Sequence, residues 1–222
     1  MRSDDGLLVG LVQALVPVLL AACGGQNLVV RDTGAIFPTF RTTFLPSSRG
    51  PAPEDDPGAP GPRTTWRSNL EFALSGVDDS ADNRDYEMLE YSLAYRGGAL
   101  VRKRWTFDGM IGLGYNDLDI QPLPGTSKQN HDYYGLLVGA EIGFAATHRL
   151  GFYFRYTGLT TGVDRSGQRE VGVSYSLTRV VRLFGGWRRW DLEIENAGLG
   201  PAGTFDIDLR TEGIVLGLGL DF

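Results

Sequence analysis

Three sets of residues in this 222-residue chain have types and spacings that bear on chemistry. The first is His131-Asp132, a base beside a carboxylate, and the chain's only other histidine is His148. A His-Asp pair would suit general acid-base work on a lipid or ester. However, no His-x-Ser follows, Ser166 and Ser174 have no base placed beside them, and neighbouring residues of a strand point to opposite faces. The second set is the acidic run Asp78-Asp-Ser-Ala-Asp-Asn-Arg-Asp85, followed later by Asp117 and Asp119. It lacks the central Gly and closing Glu of a calcium loop and reads as solvated loop. The third set is the largest: Arg67, Arg104, Arg155, Arg182 and Arg188 with Glu71, Glu90, Asp108, Glu141 and Glu170. These recur on one face of alternating segments, in equal numbers of each sign, and so are expected to pair with one another. No Gly-rich phosphate loop, zinc signature or nucleophile elbow occurs, and no cofactor is expected. The single cysteine, Cys23, excludes an intramolecular disulfide and a Cys-rich zinc site. A net charge of −6 argues against a nucleic-acid partner.

The elements that would position these groups are strands. Glu212 to Phe222 alternates, with Ile214, Leu216, Leu218, Leu220 and Phe222 on one face and the mostly small or charged Gly213, Val215, Gly217, Gly219 and Asp221 on the other. The glycines would leave room for Arg and Glu side chains of other strands. The same period runs through Trp66–Ser75, Tyr86–Arg96, Arg102–Tyr115, Tyr134–Phe144, Leu150–Thr157, Val171–Leu177 and Val181–Arg188. Trp190–Glu195 and Phe205–Arg210 would extend the last hairpin. Eight strands result, joined by gaps that alternate long and short, with Gly97-Gly98 as one of the turns. On this reading both chain ends of the barrel lie on the same side. Aromatic side chains recur at the ends of the apolar face: Trp66, Tyr95, Trp105 and Phe222 near one rim, and Tyr115, Tyr134, Tyr156 and Trp187 near the other. Trp105 and Tyr115 share a face ten residues apart, about 25 Å of height in a strand tilted near 40°.

The amino-terminal stretch has a different character. Gly6 to Ala22 is an apolar run too short for a spanning helix and fitted to a secretory signal, although Asp4 and Asp5 offset Arg2. It ends in Leu20-Ala21-Ala22-Cys23, which resembles the lipobox of bacterial lipoproteins; that resemblance implies acylation of Cys23. An ordinary signal peptide is the alternative. Residues 23–65 read as a flexible Pro/Gly-rich linker. Within it, Phe37, Phe40 and Phe44 could form an amphipathic turn or a docking patch.

An alternating terminal strand that closes on Phe resembles the last strand of a bacterial outer-membrane barrel. Residues 66–222 resemble the small eight-stranded barrels of the OmpA-like transmembrane type. The resemblance implies an all-β, antiparallel, up-and-down transmembrane barrel in the outer membrane of a Gram-negative cell. It also implies a monomer surrounded by outer-membrane lipid and lipopolysaccharide, with Phe222 read by the barrel-assembly machinery. The expected role is structural or surface-interacting, with a lumen plugged by ion pairs rather than a porin-like channel. Two rival readings stand beside it: a lipid-anchored, lipocalin-like barrel with its apolar face turned inward around a small ligand, and a lipid A-modifying barrel enzyme using His131.

Overall fold

The computed structural model describes residues 26–44, 64–81, 84–101, 104–121, 128–162, 164–198 and 204–222. Cys23, the apolar run before it and the Pro/Gly stretch at 46–62 lie outside the described residues, as do the side chains of Trp66 and Arg67. The described residues contain strands and no helix. In chain order these are β1 (Gln26–Phe44), β2 (Thr64–Ala81), β3 (Arg84–Val101), β4 (Trp105–Ile120), β5 (Gln129–Ala145), β6 (Leu150–Thr160), β7 (Arg165–Ser176), β8 (Val181–Gly198) and β9 (Thr204–Asp221). They close into one barrel in sequence order.

The barrel has nine strands where the alternation indicated eight, and it is mixed rather than wholly antiparallel. The extra strand, β1, comes from the segment read as linker. An up-and-down barrel with an odd strand count must join its first and last strands in parallel, and β1 runs parallel to β9 from Gln26↔Phe205 to Thr43↔Asp221. Gln26 therefore stands at the hairpin end of the barrel, with the β8–β9 turn, while Phe222 stands at the opposite end. The start of β2, where the eight-stranded reading begins the barrel, does share the rim of Phe222, but the added strand β1 carries the first described residue, Gln26, to the opposite rim.

A β-bulge explains why β1 escapes a period-2 reading. Register slips between Thr33 and Ala35, where Gly34 adopts φ +126°, a conformation open to Gly and strained for other residues. Before the bulge Val30 points inward; after it, Ala35, Phe37, Thr39 and Arg41 do. Phe40 and Phe44 consequently face outward and Phe37 inward, so the three do not form one patch. Directly across the seam from Ala35 is Gly213. A Cβ there would collide with the Ala35 carbonyl oxygen, so this glycine serves the close approach of two backbones. Gly217 makes room for the Phe184 ring, and of the three only Gly219 borders an arginine, Arg182.

Strands are also longer than expected at the hairpin end. β2 continues to Ala81, β4 to Ile120, and Gly97-Gly98 lies within β3 rather than in a turn. The acidic residues Asp78, Asp79, Asp85, Asp117 and Asp119 are thus strand residues, not loop residues. Here the barrel reverses polarity along its axis. Toward the Phe222 end the outward face is apolar: Leu93, Tyr95, Trp105, Phe107, Ile111, Leu113, Phe152, Phe154, Val173, Leu183, Leu216 and Leu218 are all exposed. Toward the hairpin end the outward face carries Arg31, Glu87, Arg169, Glu193 and Asp206. There the inward face holds the apolar core, in which Val30, Phe37, Met88, Leu118, Ile120, Trp190, Leu192 and Leu209 are essentially inaccessible. Phe37 and Trp190 meet with ring centroids 6.2 Å apart.

Candidate functional site: the charged lumen and its chamber

Below the apolar plug, inward positions of eight strands, β1 to β8, bring charged groups together in two clusters. In the first, Arg96 of β3 is shared by three carboxylates. It donates to Glu71 at 3.0 Å, to Asp108 at 2.5 Å and to Glu141 at 2.6 Å. Arg155 of β6 closes the ring, donating to Glu71 at 2.5 Å and to Glu141 at 3.5 Å. In the second, Glu170 of β7 accepts from Arg188 at 2.5 Å, from Arg41 at 2.7 Å and from the Tyr153 hydroxyl at 2.5 Å. Arg188 also donates to Ser75, whose hydroxyl lies 3.0 Å from that of Thr39. The guanidinium carbons of Arg41 and Arg188 sit 4.4 Å and 5.5 Å from the Phe184 and Phe37 ring centroids. These stacked contacts suit planar guanidinium, not ammonium.

Alternation explains the arrangement: each of these residues occupies an inward position, and register sets neighbours side by side. Glu141 lies between Asp108 and Arg155, and Glu170 between Arg155 and Arg188. Of the residues expected in the lumen, Glu71, Asp108, Glu141, Arg155, Glu170 and Arg188 are brought into these clusters. Glu90 is buried beside Arg155, Arg188 and Gln168 around a cavity of about 20 Å³. Arg182 pairs with Asp221 at 2.8 Å nearer the rim. Arg104 is not in the lumen; it is exposed in the turn before β4. Two arginines that organise the site were missed. Arg41 lies on the strand read as linker, and Arg96, although on the correct face, was left out of the ion-pair set.

A chamber of about 820 Å³ lies below the clusters, bounded by Arg41, Glu71, Arg96, Glu141, Tyr153 and Phe184, and reaches the rim at Arg179, Asp221 and Phe222. Its charged floor separates it from the 20 Å³ cavity, which has room for about one water molecule. Apart from Tyr153 and Phe184 in the chamber wall, the largest buried apolar side chains, among them Phe37, Met88, Leu118, Trp190 and Leu192, lie above this level. The lumen is therefore a cup: open at the Phe222 end, floored by ion pairs and stoppered by apolar side chains at the hairpin end.

His131 and Asp132 do not form a dyad. His131 turns inward, with its Nε2 buried and without a hydrogen-bond partner among the described residues, while Asp132 is exposed and accepts from Tyr115 at 3.4 Å. Burial pushes the His131 imidazole below its ordinary value, against the raising pull of Asp164 and Asp132. Ser166 accepts from the Trp190 indole at 2.7 Å. No group of three His, Cys, Asp or Glu side chains among the described residues is placed to hold a metal ion.

The aromatic positions face outward as alternation requires: Tyr95, Trp105, Tyr134, Tyr156, Trp187 and Phe222 are exposed and Tyr115 partly so. Tyr91, Tyr115 and Tyr134 stand in one row across β3, β4 and β5, directly below Asp117 and Asp132. Phe222 stacks on Phe44 with centroids 6.0 Å apart, and its amide donates to the Thr43 carbonyl at 3.0 Å. No family model, no curated protein and no solved structure matches this chain.

Proposed function

We propose that the protein is a small outer-membrane β-barrel with a structural or surface-interaction role, non-conducting and anchored additionally through an acylated Cys23. The reversal of polarity along the barrel axis carries this reading. An outward apolar belt over a charged lumen suits strands immersed in lipid, because only internally satisfied backbone and buried charge are tolerated there. A charged exterior over an apolar core suits the same strands where they project into water. The two patterns meet within single strands, as on β8, where exposed Leu183 and Trp187 give way to Arg189, Asp191 and Glu193.

Inversion also weighs against the lipocalin-like reading. A soluble ligand-binding barrel would expose charge along its full height, and its chamber would be apolar; this chamber is bounded by arginine and carboxylate. The divergence of His131 and Asp132 weighs against the enzyme reading.

The topology bears on the anchor. Cys23 precedes Gln26 by three residues, a reach of about 10 Å at most. With the Phe222 end toward the periplasm, this short reach keeps Cys23 on the hairpin side, the outer one.

The test uses the full chain expressed with its amino-terminal segment. Resistance to carbonate extraction together with a heat-dependent shift in gel mobility is expected. Easy extraction with no shift would favour a soluble barrel. In planar bilayers the protein should give no large conductance, and a steady open channel would overturn the plugged lumen. Fatty-acid labelling should disappear in Cys23→Ala; labelling that persists removes the lipoprotein claim.

A further inference from the structure

The wall formed by β7, β8, β9 and β1 carries a set of arginines whose placement neither the barrel nor its lumen requires. Register aligns the outward side chains of these strands in rows. The last apolar row is Val171, Trp187, Ile214 and Ile36, all exposed. In the next row toward the hairpin end Arg169 stands directly opposite Arg189. One row further, Asp191 stands opposite Arg210, which is itself beside Arg31. Asp191 holds two of these guanidinium groups, Arg189 at 3.0 Å and Arg210 at 2.7 Å. Glu212 is the register neighbour of Arg189. Arg169 is exposed and has no ion-pair partner among the described residues.

Like charges placed directly opposite each other on a sheet are destabilising. The Arg169/Arg189 pair is thus an arrangement the fold would be better without, unless an anion lies between the two. Asp191 fixes Arg189 and Arg210 in place by two hydrogen-bonded contacts while leaving Arg169 open. Guanidinium forks match the oxygens of a phosphate and bind it bidentately. Height selects the source of that phosphate: the pair sits one row above Trp187 and Ile214, the level at which bilayer headgroups meet an apolar belt. The wall across the barrel has the opposite character, with Glu87, Asp117, Asp119 and Asp132 above its tyrosine row.

We propose that Arg169 and Arg189, backed by Arg210 and Asp191, form a binding site for the phosphate of a lipid headgroup in the leaflet on the hairpin side. This rests on the membrane-spanning reading above and specifies one lipid contact of that barrel.

The experiment compares the wild-type barrel with the double variant Arg169→Gln/Arg189→Gln in nanodiscs of phosphatidylcholine containing a minor fraction of fluorescent phosphatidylglycerol. A Lys128→Gln variant, altered in the β4–β5 connection, serves as the control for general charge. Retention of the labelled lipid around the barrel should fall roughly tenfold in the double variant, in keeping with the loss of charge-assisted hydrogen bonds. It should be unchanged in Lys128→Gln and unaffected by millimolar inorganic phosphate. Equal retention in the double variant overturns the site. An equal fall in Lys128→Gln overturns it in favour of diffuse electrostatics, and displacement by inorganic phosphate overturns the lipid assignment in favour of a free-anion site. A barrel that inserts with a heat-dependent mobility shift but shows no selectivity defeats only this inference. One that does not insert defeats the membrane reading itself.

Discussion

Arg96 is the residue on which the lumen depends most. Its guanidinium reaches Glu71, Asp108 and Glu141, so its removal leaves buried carboxylates from three strands short of a cation. Breaking a buried pair from one side is costly because the remaining charge is uncompensated. Arg96→Met should therefore destabilise the barrel by about 3–5 kcal/mol, measured as a lower urea midpoint in vesicles. Adding Glu71→Gln should recover part of that loss, whereas strictly additive losses would show the groups to be uncoupled. His131 offers a pH test at the same scale. Its imidazole is held below the ordinary value of 6.5 by burial, so the folded protein keeps it neutral where the unfolded chain would protonate it. This contribution to stability is present above the unfolded value and is lost as pH falls through 6.5 toward the folded value. An imidazole titration followed by NMR should give a midpoint below 6.5, and one at or above it would contradict the burial. Residue types alone pointed to Glu71, Asp108, Glu141, Arg155, Glu170 and Arg188 because these keep their parity on regular strands, whereas Arg104 falls in the turn before β4. They did not reveal Arg41, because parity changes before it, nor the role of Arg96, because Gly97-Gly98 directly after it resembles a turn.

At the scale of elements, the sequence was legible where one face met lipid-like exposure and the other carried charge. It became illegible where polarity reversed. Asp117 and Asp119 occupy outward positions of β4 in the same phase as Trp105, Phe107 and Ile111, so the strand continues although its hydropathy signal inverts. Alternation between a polar exterior and an apolar interior was read there as loop acidity. β1 was hidden for a different reason, the bulge at Gly34, with Pro38 adding a residue that discourages a strand assignment. The seam makes two substitutions informative. Gly34→Ala, at positive φ, should cost about 1–2 kcal/mol without changing the fold. Gly213→Val would drive side-chain atoms into the Ala35 carbonyl and should prevent β1 from docking. The expected readout is loss of the compact, fast-migrating form in unheated gels. Undiminished compact form would mean that β1 is dispensable to closure.

For the whole molecule, strand parity decides at which rim of the barrel Gln26 and Phe222 stand. An even barrel brings both ends to one rim; this odd one sends Gln26 to the hairpin rim and Phe222 to the other. An epitope inserted after Gly25 should thus be reached by antibody on intact cells, in company with an epitope in the 122–127 connection. Detection only after permeabilisation would restore the eight-stranded arrangement and with it a periplasmic tail. The belt, the stopper and the ionic floor then combine into a vessel open at the Phe222 end and closed at the other.

The parallel seam also dictates an order of events in time. β1 and β9 are the first and last of the nine strands in chain order, and their ladder runs almost the full length of each, from Gln26↔Phe205 to Thr43↔Asp221. Every other ladder links consecutive strands and can form as the chain lengthens, but this one joins the most distant partners and bears the largest loop-closure entropy. Until β9 arrives, β1 lacks its principal partner, since β2 pairs with it only over Thr39 to Phe44. A chain truncated before Thr204 would thus carry two open edges that must be shielded until β9 closes the barrel. The stacking of Phe222 on Phe44 lies on this same join and adds an aromatic contact to the ladder that closes the barrel.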